Sequence, residues 1–502
     1  MNRKTVLQYS LIYVMAIFVA ALAVNYDYDL FARLEVGEIF FKLHKILQHD
    51  PFSYTPTISW IDHEWASGVV FYAFLKLIGS AGLILLNAAL SALVPIFILK
   101  NNKDIKHPLI ISAIFIIFIK YSAGNLIRCQ AFTYAFAALT LYILEKFRQT
   151  NTKLIWVLPV LVAFWCNMHG GVVSGLGIIS MYCLISIIKR EKFVKTLLTV
   201  TILSYMALFI NPYGAHYPWY LYTAVTIPRK YIEDWQSIFS PRNLYPYLWI
   251  VIMFITMLGI KIYSDIKNKV FDLYQYVLLL ITVPFGFAHI KGLQLASVTI
   301  FMFCSKDVDN VLNKYNPWGM FEKIEKSLYL VIIILGITIP FNITTPRLTY
   351  SIYPIAETEF LKINDIKGNI FSVFELGSYL SYKLYPNNKI FIDGRYDGVY
   401  PMEVFNDHLD FMNGMDNWRT VIKKYPTDIF ILPLHFYKPI KYLKENPQLG
   451  YVDVFYGYKY CIFLKKDLVK PKYKQPPGNL KYYRDNVFKT DFVKYLKEEK
   501  ND

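Results

Sequence analysis

Acidic and basic residues stand near the ends of apolar segments in this chain, and together they suit transfer of a group from a phosphate-linked carrier. Asp27 and Asp29 follow the first apolar segment, and His63 and Glu64 lie in the long connection after it. Basic residues mark the ends of later apolar segments: Arg128, His169, His289 and Lys291. A carboxylate can take a proton from an attacking hydroxyl, and a cation can stabilise a departing phosphate. Taken singly, each residue also fits a helix end or a membrane interface, so it is the combination that favours chemistry.

The elements that must position these residues are apolar. Of 502 residues, 55% are apolar, 17% aromatic and 18% charged, and the mean hydropathy is +0.32. Soluble domains carry about 25% charged residues, so this composition indicates an α-helical polytopic membrane protein. About eleven segments approach the length of a membrane span: 6–24, 81–99, 108–121, 127–144, 154–166, 172–188, 197–210, 244–260, 277–288, 293–304 and 328–341.

The net charge of +16, from 53 Lys and Arg against 37 Asp and Glu, indicates how the chain is oriented. Short cytoplasmic loops of membrane proteins collect Lys and Arg. With the N-terminus in the cytoplasm, the basic connections alternate as this rule requires: 100–106, 146–153, 189–195, 261–269 and 306–326. The candidate residues, and everything after about residue 344, then lie outside the cytoplasm in a multi-pass inner or plasma membrane protein. Because orientation accounts for much of the basic surplus, no nucleic-acid partner is predicted.

A change of pattern divides the sequence into parts. Residues 1–343 are predicted to form a transmembrane domain with a long first outer loop, 25–80. Within that loop the apolar segment 69–77 is interpreted as a helix along the outer membrane surface, and a short extra span is the alternative. Alternating strand-like and helix-like runs then predict an extracytoplasmic α/β domain over 344–470, followed by a basic tail, 471–502.

One motif in the α/β domain allows two interpretations. Asp393, Arg395 and Asp397 come at and just after the predicted strand 389–393, where α/β folds place ligands. The alternative is a turn in which an Asp caps a helix and pairs with Arg395. The sequence contains no GxGxxG or P-loop motif that would support nucleotide binding, and its five cysteines do not have disulfide-framework or CxxC metal-site spacing.

The chain resembles the GT-C superfamily of integral-membrane glycosyltransferases. This superfamily includes protein O-mannosyltransferases, the lipid A aminoarabinose transferase and the catalytic subunits of oligosaccharyltransferases. The resemblance is architectural: an acid just after the first helix, a long first outer loop, about eleven spans and an outward C-terminal domain. The chain looks still more similar to a bacterial branch described only as glycosyltransferase-like. That similarity lies in residues 27–30, 35–38, 50–55, 63–65, 167–171, 211–214 and 391–397.

The resemblance implies a polyprenyl-phosphate-linked sugar as donor, used outside the cytoplasm with inversion at the anomeric carbon. It implies that an acid of the first outer loop is the base, Asp27 or Asp29, with Asp29 preferred from the shared Asp-Leu pattern. His63 and Glu64 stand where other members have a second motif, although this chain has His-Glu-Trp in place of the usual His-Pro-Pro. The candidates for binding the leaving phosphate are Arg128, His169, His289 and Lys291. No cofactor is certain, although Asp27 and Asp29, with His63 or Glu64, could bind a divalent metal ion.

The leading hypothesis is therefore a membrane glycosyltransferase, in contact with membrane lipid, that moves a sugar from a polyprenyl-phosphate donor to an extracytoplasmic glycan, lipid or protein. One alternative is a transporter or flippase that binds a lipid-linked glycan without chemistry. Another is a membrane scaffold whose outer domain binds a partner. Transporters usually place ionisable residues or broken helices near mid-membrane, and the predicted spans hold few of these.

Overall fold

A computed structural model describes residues 3–21, 27–123, 126–227, 229, 232–342, 353–415 and 417–478 of the protein. Its helices are α1 Arg3–Ala21, α2 Tyr28–Leu43, α3 Trp65–Ile78, α4 Ser80–Asn101, α5 Pro108–Ala123, α6 Gln130–Thr150, α7 Val157–Met168, α8 Val172–Ile188, α9 Val194–Ala207, α10 His216–Thr226, α11 Leu244–Asn268, α12 Leu273–Ala288, α13 Leu293–Lys314, α14 Met320–Asn342, α15 Ile355–Ile363, α16 Gly377–Leu384, α17 Met402–Asn413, α18 Trp418–Lys424 and α19 Tyr437–Glu445. The chain divides into two compact units, Met1–Ala23 with Leu77–Thr344 and Val24–Lys76 with Thr345–Asp502. The predicted basic tail lies outside the described residues from residue 479 onward.

The first unit is helical, and each predicted span coincides with a helix. Helix α4 packs against α1 and α6, and α13 packs against α11 and α12. Among the described residues, α1, α4 and α11 are long and apolar enough to cross a membrane. Shorter apolar helices are Trp65–Ile78, Pro108–Ile119, Lys153–Met168, Val172–Ile188, Val194–Ala207 and Leu273–Ala288. These helices agree with a membrane protein, whereas the number of spans and their orientation remain predictions.

Two carboxylates close the N-terminal end of α5. Asp309 of α13 accepts the backbone N–H groups of residues 106–107 at 2.8 and 3.0 Å. Glu325 of α14 accepts those of residues 109–110 at 2.8 and 3.0 Å. The first N–H groups of a helix have no partner within it, and each one buried without a partner costs about 1–3 kcal/mol. These bonds therefore allow α5 to begin in the buried interior of the first unit.

The second unit contains a five-stranded sheet in the order β2-β1-β3-β5-β4. Its strands are β1 Gly368–Ser372, β2 Asn388–Ile390, β3 Ile429–Pro433, β4 Tyr451–Tyr456 and β5 Tyr460–Lys465. Strand β1 pairs in parallel with β2 and β3, and β5 runs antiparallel to β3 and β4. All five residues of the central β3 are buried, which explains its unbroken apolar sequence. The predicted alternation of strands and helices in the α/β region is present, and β2 ends three residues before the end of the predicted strand 389–393.

The first loop, Val24–Lys76, adds an extended segment to the edge of this sheet. The N–H of Ile390 in β2 donates to the carbonyl oxygen of Phe52 at 2.9 Å, and the N–H of Tyr54 donates to that of Ile390 at 3.1 Å. Ser53 consequently forms a parallel bridge with Ile390. An uncovered strand edge would expose unpaired N–H and C=O groups, and the first loop supplies partners for them.

This pairing bears on the division of the chain into domains. The sequence-based boundaries place the loop 25–80 within the domain 1–343 and treat 344–470 separately. In the structure, Val24–Lys76 forms one compact unit with Thr345–Asp502. The reason is that the loop's backbone forms hydrogen bonds with the sheet, and its buried side chains contact the sheet and the helices around it.

Helix α2 is anchored by a buried acid. Glu35 is fully buried, and the hydroxyl of Ser381 in α16 donates to its carboxyl group, 2.8 and 2.9 Å from the two oxygens. Burial raises the pKa of Glu35 well above its usual 4.5. Phe31 of α2 packs against the rings of Tyr379 and Tyr382 in α16. Helices α2 and α16 thus form one packed layer.

A buried arginine joins the first loop to the turn after β2. The guanidinium of Arg395 lies with its Nε 2.9 Å from both carboxylate oxygens of Asp393 and its Nη1 2.7 Å from Oδ1 of Asp50. The aromatic rings of Phe52 and Trp60 lie 5.1 and 4.8 Å from its central carbon. The side chains of Arg395, Asp50 and Asp393 are almost completely buried. We call these three residues the Arg395 clamp.

Replacing Arg395 with methionine should lower the stability of the protein markedly. Asp50 and Asp393 would be left buried without their cation, which typically costs about 3–5 kcal/mol. We expect the thermal unfolding midpoint in detergent to fall by about 10 °C. The matched control is Arg419→Met, because Arg419 lies exposed over the ring of Trp418 and should shift the midpoint little. Equal shifts for the two variants would contradict the role of the clamp.

A second buried acid makes the stability of this unit depend on pH. Glu357 in α15 is 2% exposed. Its Oε1 has no hydrogen-bond partner in the described part of the chain. A Cβ added to Gly457 would overlap this carboxyl group, so the absence of a side chain there makes room for it. Burial raises the pKa of Glu357 from 4.5 to about 7.

The folded state holds the proton of the Glu357 carboxyl group more tightly than the unfolded state. The contribution of this proton to the stability of the protein is therefore complete below about pH 4.5. That contribution is lost as the pH rises to about 7. A shift of this size corresponds to about 3 kcal/mol. Glu357→Gln should therefore retain, at pH 7.5, stability that the unchanged protein loses between pH 5 and pH 7.5. Unfolding midpoints measured across this range test the prediction, with the exposed Glu445→Gln as control. Parallel pH profiles for unchanged protein and Glu357→Gln would refute it.

Candidate functional site

The two acids at the start of α2 have different roles. Asp27 has extended backbone torsions and caps the helix, because its carboxylate oxygen accepts the N–H of Asp29 at 2.9 Å. Asp27 is 2% exposed. Asp29 lies in the first helical turn, where the helix dipole favours a negative charge, and its side chain is exposed. Asp29 is therefore the acid of this pair that solvent and a substrate can reach.

Arg33 links the second predicted motif to α2. It lies one helical turn after Asp29, and its Nη1 donates to Oδ1 of Asp62 while its Nε lies 3.7 Å from Oε2 of Glu64. The other oxygen of Glu64 lies 3.6 Å from Nε2 of His63. The structure thus brings the predicted His63 and Glu64 next to the helix that carries Asp29. Sequence reasoning missed Arg33, although its spacing of four residues from Asp29 within a helix was an available signal.

The turn after β2 lies directly against Asp29. A Cβ added to Gly394 would overlap Oδ1 of Asp29 and lie 3.4 Å from its Cγ. Asp393 and Arg395 flank this glycine and belong to the Arg395 clamp, so their geometry fits the predicted alternative of an Asp paired with Arg395 in a turn. Asp397 lies in the short 3-10 helix Tyr396–Gly398, and its side chain is outside the described part of the structure.

In the first unit, three of the four predicted basic residues gather around the short helix Glu233–Trp235. Nη1 of Arg128 lies 2.7 Å from Oδ2 of Asp234. His289 lies with its Nδ1 2.8 Å from the carbonyl oxygen of Trp235, and Nζ of Lys291 lies 4.0 Å from the centre of the Trp235 ring. We call Arg128, His289 and Lys291, together with Arg229, the Trp235 cluster.

Arg229 belongs to this cluster although sequence reasoning did not select it. Its guanidinium lies 4.8 Å from the centre of the Trp235 ring. Cations near an indole ring gain about 0.5–2 kcal/mol, so Trp235 helps to keep several like charges close together. A basic residue six positions before a tryptophan in an aromatic loop gives no strong sequence signal, because the spacing has no fixed geometry outside a helix.

His169 is the fourth predicted base, and it has different neighbours. Its Nδ1 accepts the N–H of Gly171 at 2.9 Å and lies 2.8 Å from the hydroxyl of Thr133. That hydroxyl accepts the indole N–H of Trp165 at 2.9 Å, which leaves its own proton for His169. Two donors facing Nδ1 place the ring proton on Nε2. His169 is therefore arranged as a neutral N–H donor, in contrast to the cation that the sequence suggests.

The arrangement of these side chains gives limited support for a metal site. Among the residues the structure describes, no group of three or more His, Cys, Asp or Glu side chains is arranged to hold one. Asp27, one of the two predicted ligands, also uses a carboxylate oxygen to cap α2.

Known proteins match this chain in fold but not in sequence. No family model matches the chain, and no curated protein matches its sequence. The apo oligosaccharyltransferase of Archaeoglobus fulgidus matches with a TM-score of 0.57 and 8% identity, over 85% of this chain and 69% of that one. The oligosaccharyltransferase AglB of that organism, solved with an inhibitory peptide and a dolichol-phosphate, matches with a TM-score of 0.56 and 10% identity, over 95% of this chain and 77% of that one.

A second kind of transferase matches as well. ArnT from Cupriavidus metallidurans, bound to undecaprenyl phosphate, gives a TM-score of 0.54 and 9% identity, over 94% of this chain and 100% of that one. At such low identity the agreement concerns the fold. The chain therefore has the fold of these oligosaccharyltransferase and ArnT structures, which are GT-C glycosyltransferases, and this agrees with the resemblance identified from its sequence.

Proposed function

We propose that this protein is a membrane glycosyltransferase that moves a sugar from a polyprenyl-phosphate donor to an acceptor hydroxyl outside the cytoplasm, with inversion. The observation that carries the proposal is the exposed carboxylate of Asp29 in the first turn of the helix that follows α1, within a GT-C fold. The solved structures of this fold that carry dolichol-phosphate or undecaprenyl phosphate support a lipid-linked donor.

In the proposed reaction, Asp29 takes the proton of the acceptor hydroxyl as its oxygen attacks the anomeric carbon. The bond between that carbon and the phosphate oxygen breaks, and the polyprenyl phosphate leaves with the electron pair. General base catalysis of this kind contributes about 10²–10⁴ in rate. Asp27 keeps the first turn of α2 in place, and Arg33 holds Glu64 near the same helix.

The leaving phosphate needs stabilisation as its charge develops. Cations and fixed N–H donors supply it best when they are already in place before reaction, because no reorganisation is then needed. The cations of the Trp235 cluster are proposed to hold the phosphate, and Nε2–H of His169 is proposed to add a neutral hydrogen bond. The basic connections of the sequence support an orientation with the N-terminus in the cytoplasm and the reaction outside. A glycan, a lipid or a protein can all provide the acceptor hydroxyl.

Asp29→Asn should reduce sugar transfer by at least 100-fold, because an amide cannot take the proton. Asp27→Asn should keep transfer within about ten-fold of the unchanged protein, since Asn caps a helix almost as well as Asp. Purified protein supplied with radiolabelled polyprenyl-phosphate sugars and a panel of acceptors provides the measurement. The opposite ranking of the two variants would assign the base to Asp27.

The same assay distinguishes the enzyme from a flippase. Absence of transfer across a wide donor panel, together with translocation of a lipid-linked glycan in reconstituted vesicles, would overturn the proposed function. In that case Asp29→Asn would still permit translocation. Transfer that requires Asp29 would instead exclude a scaffold without catalytic activity.

Lys291→Met should raise the KM for the lipid-linked donor about 10-fold or more, because a hydrogen bond to a charged group contributes about 1.5–3 kcal/mol. Arg229→Met should act in the same direction. The matched control is Lys189→Met: Lys189 also lies over an aromatic ring, that of Tyr274, but in a predicted cytoplasmic connection. A KM increase in the control as large as that in Lys291→Met would contradict phosphate binding by the Trp235 cluster.

A further inference from the structure

We infer that Gly394 is a positioning residue: the turn it occupies in the C-terminal region fixes where the carboxylate of Asp29 lies. This inference rests on the proposed function in so far as Asp29 is the base. It gives the C-terminal region a part in the reaction, in addition to any role in binding an acceptor.

Position 394 requires a glycine for space and not for its backbone conformation. Gly394 is absent from the glycines with positive φ, which are Gly79, Gly214, Gly319, Gly368, Gly414 and Gly450. Its backbone is therefore one that other residues also adopt. What glycine provides is space, because a Cβ at position 394 would overlap Oδ1 of Asp29. Apart from the Asp29 carboxyl group and the glycine's two chain neighbours, no heavy atom of the described residues lies within 4 Å of that Cβ.

The turn is held by buried ion pairs, whereas the carboxyl group that it faces is the end of a side chain. Asp393 is fully buried, accepts the backbone N–H of Arg395 at 3.1 Å and is paired with its guanidinium. Asp50 fixes the other side of that guanidinium. The carboxyl group of Asp29 is exposed and lies at the end of its side chain. A methyl group added at position 394 would thus displace the carboxylate of Asp29 and leave the turn in place.

The expected loss of rate follows from the short distance over which a base acts. A base acts within hydrogen-bond reach of the proton it removes, and a displacement of about 1 Å can reduce the rate about 100-fold. Gly394→Ala is therefore expected to lower kcat about 100-fold. The KM for the donor should change less than two-fold, because no phosphate-binding residue is altered. The unfolding midpoint should remain that of the unchanged protein.

The control for this substitution is Gly478→Ala, because Gly478 lies in the same unit and a Cβ there meets no atom of the described residues within 4 Å. The double variant Gly394→Ala/Asp29→Asn tests whether the glycine acts through the acid. It should be no slower than Asp29→Asn alone, since the two changes affect one group. Gly394→Ala with unimpaired kcat, or an equal loss in the presence and absence of Asp29, would overturn the inference.

The contact itself can be tested without any enzyme assay. In Asp29→Cys/Gly394→Cys, the sulfur of Cys at 29 takes the place of the Asp29 Cγ, 3.4 Å from the new Cβ. The corresponding separation within a disulfide is about 3 Å, so mild oxidation of the full chain in membranes should link the two positions. Peptide mass spectrometry detects the link. Asp29→Cys/Gly478→Cys is the control that should not form it, and the five native cysteines are buried.

Failure of this inference differs from failure of the proposed function. If the disulfide forms but the unchanged protein transfers no sugar, the contact stands and the proposed function falls. If transfer requires Asp29 and Gly394→Ala is fully active, the proposed function stands and the positioning role falls. If no disulfide forms while the unfolding midpoint of the double cysteine variant is normal, the contact is wrong.

Discussion

The ion pairs of Arg395 with Asp50 and Asp393 are the interaction on which the second unit depends. A guanidinium removed from water is unfavourable unless carboxylates and hydrogen bonds replace the solvent, and Arg395 has both. Asp50 and Arg395 lie 345 positions apart in the chain. Their pairing therefore fixes the register between the first loop and the turn after β2. The strand-edge pairing of Ser53 with Ile390 and the contact of Asp29 with Gly394 both follow from that register.

The acids of the second unit illustrate how side chains of similar chemistry acquire different roles from their surroundings. Asp27 is used as a helix cap, Glu35 is buried with its pKa raised, and Asp29 stays in contact with solvent. A site that needs one reactive carboxylate benefits from these differences, because a neighbouring acid that ionises less readily adds less repulsion to it. In the first unit, Trp235 holds two cations, Arg229 and Lys291, against one aromatic ring.

Much of the fold could be predicted from the sequence because hydrophobic periodicity is local. The strands β1, β3, β4 and β5 are short alternating or continuous apolar runs of the kind that predicts an α/β domain, and β2 ends early where the chain turns into the Arg395 clamp. The site was less predictable because its contacts join distant parts of the chain. No local pattern indicates that Asp50 faces Arg395, that Arg33 binds Asp62, or that Gly394 makes room for an acid. Spacing alone likewise suggested a cation at His169, whereas three residues from separate helices and a turn give it one neutral tautomer.

The discontinuity of the second unit sets an order of events during synthesis. Its first segment, Val24–Lys76, leaves the ribosome long before the sheet that it joins. At about 5–20 residues per second, the 345 positions between Asp50 and Arg395 take roughly 20 to 70 s to make. During that time the helix carrying Asp29 lacks the turn at Gly394 and the helix α16 against which it packs. The acid acquires its final surroundings only after the membrane helices have been made, so a nascent or truncated chain does not contain the complete arrangement.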